Sequence, residues 1–117
     1  MSRKLAVLLL LVISVNVNAS QSYDLAATMK HNDKTLFSPQ LKIVDGRWQQ
    51  VRNDSCTYSS QILEQADNTL LVESDIACGD FVLQSVFILN PEGGEAKLEI
   101  GEVDDMWEFR VSVSVQH

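Results

Sequence analysis

The chain has 117 residues and carries 16 acidic against 9 basic side chains, a formal net charge of −7. That length bounds the fold to one domain with a modest core. The acidic balance repels phosphate backbones and anionic lipid, which argues against nucleic acid as a partner.

The first segment reads as an export signal. Arg3 and Lys4 precede an unbroken apolar run from Leu5 to Ile13, and Val17-Asn18-Ala19 places small residues where a signal peptidase cuts. A membrane-spanning helix needs about 20 apolar residues. Ser14, Asn16 and Asn18 break the run short of that, so no membrane span is expected after cleavage. The reading is a signal peptide over 1–19 and a single soluble β-rich domain over 20–117. No cysteine lies near the cut, which argues against a lipid anchor. The short apolar core points to a bacterial periplasm, with secretion from a eukaryotic cell as the alternative; Asn53-Asp54-Ser55 matches a glycosylation sequon. Cleavage leaves seven basic and sixteen acidic residues, unevenly placed: residues 20–52 carry a net +2 and residues 53–117 a net −11.

After the leader, apolar residues recur every second position and turn residues punctuate them at short intervals, the pattern of an all-β domain. Tyr23, Leu25, Ala27 and Met29 alternate, and His31-Asn32-Asp33-Lys34 reads as a turn. Pro39 suits a strand start or edge. Asp45-Gly46 between two β-prone runs predicts a type I′ hairpin that sets Ile43 opposite Trp48.

The middle of the chain is the most informative. A three-residue loop at Ala66-Asp67-Asn68, with Asn68 left-handed, pairs Cys56 with Cys78, Tyr58 with Ile76, Ser60 with Ser74 and Ile62 with Val72. One face is then apolar and holds both sulfurs, while Thr57, Ser59, Gln61, Glu73 and Asp75 share the other. Opposed cysteines in an exported protein predict a Cys56–Cys78 disulfide. Gly79-Asp80 suits a type II′ turn and extends the same faces to a third strand, pairing Cys78 with Phe81, Ser74 with Ser85 and Leu70 with Leu89. A short helix over Ser59 to Ala66 is the competing reading. Ser60, Ser74 and Ser85 form a row of small core-facing residues that Trp107 or Trp48 is expected to fill. The reverse face carries Leu63, Leu71 and Ile88 in one row, with Val86 and Val82 nearby. Either the N-terminal strand or barrel closure covers it, or Leu63, Leu71, Val86 and Ile88 form a partner patch. A turn at Asn90 to Gly94 leads to Ala96, Leu98 and Ile100, an acidic turn follows from Gly101 to Asp105, and Trp107, Phe109, Val111, Val113 and Val115 point inward on the last strand.

Phe37 to Gly46 (proline, alternating apolar strand, glycine turn) resembles an element of exported bacterial envelope proteins, of the kind found in secretins and in periplasmic proteins near TonB-type systems. Gly94 to Gly101 resembles a companion strand. The resemblance implies a β-rich envelope protein and carries over no functional residue.

Reactive chemistry is sparse. His31 and His117 are the only imidazoles, and no serine sits in a Gly-flanked elbow. Zinc-type clusters of His and Cys are lacking. Glu102, Asp104, Asp105 and Glu108 are the densest carboxylates, weak candidates for a calcium-like ion and better read as a solvated turn. No cofactor is implied. The expectation is an antiparallel β-sandwich or small barrel of six to eight strands, acting as a binding or accessory protein toward an envelope protein partner. A carboxylate-based hydrolase, or a purely structural or stress-related envelope protein, is the alternative.

Overall fold

The computed structural model describes residues 21–116; the signal peptide expected over 1–19, and His117, lie outside the described residues. Among the described residues, nine strands and no helix build two antiparallel sheets. They are β1 (Ser22–His31), β2 (Lys34–Phe37), β3 (Gln40–Val44), β4 (Gln49–Arg52), β5 (Cys56–Glu64), β6 (Leu70–Cys78), β7 (Phe81–Leu89), β8 (Glu92–Glu102) and β9 (Asp105–Val115). The four-stranded sheet is the meander β4-β5-β6-β7. In the five-stranded sheet β1 pairs with β9, β9 with β8, and the short β2 and β3 lie end to end along the other side of β1. That shared side raises the strand count above the expected six to eight.

Turn chemistry explains the paths. Asn32 and Asp33 both have positive φ (52° and 69°), as a type I′ turn requires, and they join β1 to β2. Asn68 (φ 69°) and Gly79 (φ 61°) take the left-handed positions expected of them, and the pairings of β5 with β6 and β6 with β7 follow the register read from the sequence at every position. Ser59 to Glu64 is therefore strand, not helix. Gly101 is required at the end of β8, since its φ is +126° and a Cβ there would overlap the Asp105 carbonyl oxygen.

The Asp45-Gly46 hairpin is corrected. Only Gly46 has positive φ (80°), and the Val44 carbonyl accepts the Arg47 N–H at 3.0 Å, a type II rather than a type I′ arrangement. Type II turns splay their flanking strands. Ile43 accordingly pairs with Tyr23 in one sheet, while β4 joins β5 in the other. One carboxylate fixes this crossover: Asp45 Oδ1 accepts the Tyr23 hydroxyl at 2.9 Å and the Glu64 N–H at 2.9 Å, tying both sheets to the turn. The segments likened to companion strands, β3 and β8, share a sheet but are separated by β1 and β9.

The core lies between the sheets. Tyr23, Leu25, Ala27 and Met29 of β1 and Phe109, Val111 and Val113 of β9 face Tyr58, Ile62, Leu70, Val72 and Ile76. The Cys56–Cys78 disulfide is formed, with Cα atoms 4.2 Å apart, at one end of the β5–β6 hairpin. Neither tryptophan fills the serine row. Trp107 stacks between His31 (4.0 Å) and Phe81 (4.1 Å), and Trp48 is exposed. The Phe109 ring instead lies 6.0 Å from Tyr58 and 6.3 Å from Phe87, the aromatic side chains on either side of the row. The reason is polar: buried hydroxyls need partners. Tyr58 Oη and Ser74 Oγ are 2.9 Å apart, and the Ser60 hydroxyl donates to the Glu73 carbonyl at 2.8 Å.

Candidate functional site

Side chains alternate along each strand of the meander, so its outer face can be read row by row from the register. Leu63, Leu71 and Ile88 form one row; Gln61, Glu73 and Val86 the next; Ser59, Asp75 and Gln84 the third; Thr57, Ala77 and Val82 the fourth. The β4 register places Gln50 beside Ser59 and Arg52 beside Thr57. Carried back by two residues, it sets Trp48 beside Gln61, and Trp48 does line a shallow cavity of about 310 Å³ with Glu73, Asp75, Gln84 and Val86.

This face collects exposed apolar surface. Six large hydrophobic side chains are exposed among the described residues, and four of them are here: Trp48 (50%), Val82 (66%), Val86 (59%) and Ile88 (57%). Leu63 and Leu71, farther in, are half-buried. The four patch residues singled out from sequence thus lie on one surface. The N-terminal strand does not cover it, because β1 sits inside the other sheet. Sequence reasoning missed Trp48, since the supposed Asp45-Gly46 hairpin aimed it at Ile43. The signal was the polar Asn53-Asp54-Ser55 triplet. Asn53 Oδ1 accepts the N–H groups of Ser55 and Cys56, closing the turn that pairs β4 with β5. The Asn53 amide is also bonded to the Leu36 carbonyl.

The charged groups within the face are the carboxylates of Glu73 and Asp75. Glu73 accepts the Gln61 side-chain amide, and Asp75 is exposed beside Gln84. Two carboxylates therefore stand side by side on the face, Glu73 between Gln61 and Val86 and Asp75 between Ser59 and Gln84, with Arg52 at the edge of the row beyond them.

The other candidates disperse. Asp105 is engaged by His31, Nε2 to Oδ1 at 2.6 Å, while Glu108 pairs with Arg110 at 3.2 Å. Glu102 and Asp104 are exposed, and among the described residues no group of three acidic, His or Cys side chains is placed to hold a metal ion. His31 is less solvated than its turn-like sequence suggested: it ends β1, opposite and stacked on Trp107. Asp67, in the β5–β6 loop, has its carboxyl held below the usual range by hydrogen bonds from the Thr69 hydroxyl and N–H, a local turn interaction. Burial pushes the Tyr58 phenol up, and burial followed by the Asp45 contact does the same to Tyr23. Both phenols are shielded within the fold, Tyr23 donating to Asp45 and Tyr58 sharing a hydrogen bond with Ser74.

No protein-family model, no curated protein and no solved structure matches this chain. The functional reading therefore rests on the surface itself.

Proposed function

We propose that this protein is exported to the periplasm and acts there as a binding or accessory protein, docking an envelope protein on the outer face of the β4–β7 sheet. The observation that carries the reading is the concentration of Trp48, Val82, Val86 and Ile88 on that one face. Contiguous apolar surface of this kind is characteristic of interaction sites, and a tryptophan beside it supplies the anchor that interfaces favour. Glu73 and Asp75 set the chemistry of the partner: apolar side chains flanking a lysine or arginine. Export is supported by the leader pattern, and the disulfide fits an oxidising compartment.

Site-specific crosslinking in growing cells tests the reading. A photoreactive residue replacing Ile88 is expected to trap a different protein in one discrete adduct, separate from any self-adduct, weakened by high salt and lost when Trp48 and Val86 are replaced by serine. The same residue replacing Lys97, on the opposite outer face, is expected to trap none. Only self-adducts, or none, at Ile88 would overturn the proposal.

A further inference from the structure

The edges of the two sheets are guarded unequally. β2, β3 and β4 are four or five residues long and carry Lys34, Lys42 and Arg52. β8 is long, but it holds Glu92, Glu95, Lys97, Glu99 and Glu102 and is bulged between Glu92 and Gly94. Short length, charge and bulges are the usual devices that stop an edge from pairing with another chain. β7 has none of them: Phe81–Leu89 is nine residues of unbroken register, without charge or proline, and its far side has no strand among the described residues.

Register shows what that side offers. The two-residue Gly79-Asp80 loop closes on the Cys78–Phe81 pair, which such hairpins hydrogen-bond. Odd residues of β7 therefore turn their main-chain groups to β6, and Val82, Gln84, Val86 and Ile88 turn theirs to the open side. The core-facing side chains are also incompletely covered: Phe81, Leu83, Ser85 and Phe87 are half-buried, whereas their β6 partners Cys78, Ile76, Ser74 and Val72 are fully buried. Midway along the strand, the Ser85 hydroxyl is the one buried side-chain polar atom among the described residues with no hydrogen-bond partner.

We infer that β7 pairs antiparallel with β7 of a second copy about a two-fold axis at Ser85, joining two meanders into one continuous eight-stranded sheet. In that register Phe81 meets Leu89 of the other copy, Val82 meets Ile88, Leu83 meets Phe87 and Gln84 meets Val86; every outward main-chain group finds a partner. Ser85 meets itself in a non-hydrogen-bonded pair, the kind that brings side chains closest, so a χ1 rotation that turns each buried, orphan hydroxyl toward the edge gives it the other as partner. Charge selects this contact for self-association. The chain carries a net −7, and β7 is the only edge strand described that brings two copies together without charged side chains on the pairing strands. Isologous two-fold pairing also closes after two copies and leaves no edge of the same kind. The inference stands on the edge and on Ser85, separately from the partner reading above.

Sedimentation equilibrium of the exported protein across the micromolar range tests it. The expected mass is twice that of the protomer. Gln84→Lys with Val86→Lys sets like charges directly opposite each other and is expected to give monomer with an unchanged circular dichroism spectrum. Gln84→Lys with Val86→Glu sets opposite charges there and is expected to restore the dimer. Ser85→Cys is expected to form an intermolecular disulfide, and Val86→Cys, whose counterpart is Gln84, is not. A monomer at every concentration would overturn the inference. So would a dimer indifferent to the paired lysines, or one that Ser85→Cys fails to crosslink.

Discussion

The two sheets share one core but are built differently and face solvent differently. The β4–β7 sheet is a meander in which each strand pairs with the next through a turn of a few residues. The five-stranded sheet is closed by β1 and β9, pairing Tyr23 with Val115 and His31 with Trp107 from opposite ends of the described chain. Outside, the five-stranded sheet is polar. Lys42, Asp24 and Ser114 share one row, Gln40, Ala26, Ser112 and Glu95 another, and a shallow depression of about 670 Å³ runs over these small side chains. The meander presents Trp48, Val82, Val86 and Ile88 instead. The locally built sheet is thus the one with an unguarded outer face and edge, and the sheet holding the first and last described strands is the solvated one.

If the halves are truly joined through the core, the largest effect comes from the residue both use. Phe109→Ala removes the β9 ring that meets Tyr58 and Phe87, and is expected to cost about 3–5 kcal/mol by transfer and cavity terms. Urea denaturation measures it. A loss below 1 kcal/mol would mean the sheets are coupled elsewhere. Next in size, replacing both Cys56 and Cys78 by alanine opens a crosslink of sequence separation 22, worth about 3 kcal/mol by the loop-entropy argument. Hydrogen exchange distinguishes the sheets here. Amides of β5 and β6 near the cysteines should gain exchange most, and an equal gain in β1 and β9 would show that the staple acts on the whole fold rather than on the meander.

The same contrast explains what could be read from the sequence. The β5–β6–β7 register was legible because two short loops and two opposed cysteines fix it locally, and a one-residue slip would exchange the faces. The inward set on β9 was legible from strict alternation. Which strand β9 pairs with was not, because nothing in a local window links Tyr23 to Val115. Asp45-Gly46 misled because the dipeptide serves a type II crossover as well as a type I′ hairpin. What decides between them is distant: Tyr23 and Glu64 both bind the Asp45 carboxylate. The serine row was located correctly, but its occupant depends on hydroxyl partners that spacing does not reveal. The patch residues were found as an outward row, and Trp48 was lost with the misread turn.

That carboxylate gives the next test. Asp45→Ala leaves the buried Tyr23 hydroxyl and the Glu64 N–H without their acceptor, and is expected to cost about 1–3 kcal/mol. Asp45→Asn keeps an acceptor oxygen and should lose less. Equal losses would show that charge, not the bridging geometry, holds the crossover.

The smallest expected effect is alkaline and asks whether the two tyrosines report on different sheets. Burial raises both phenols; Tyr23 belongs to β1 and Tyr58 to β5. Above an unfolded pKa of about 10 the unfolded chain releases these protons while the native state keeps them. The unfolded state then binds fewer protons, so stability must fall as pH rises, by about 1.4 kcal/mol per pH unit for each tyrosine until its native pKa is reached. Below pH 10 the contribution is fully present and flat. Urea midpoints at pH 9 and pH 11 measure the slope, and Tyr23→Phe and Tyr58→Phe should each remove one tyrosine's share. Phenylalanine at position 23 also frees Asp45, so that variant should start less stable at pH 9 yet lose less between the two pH values. A slope unchanged by both substitutions would place the alkaline sensitivity outside the core that joins the sheets.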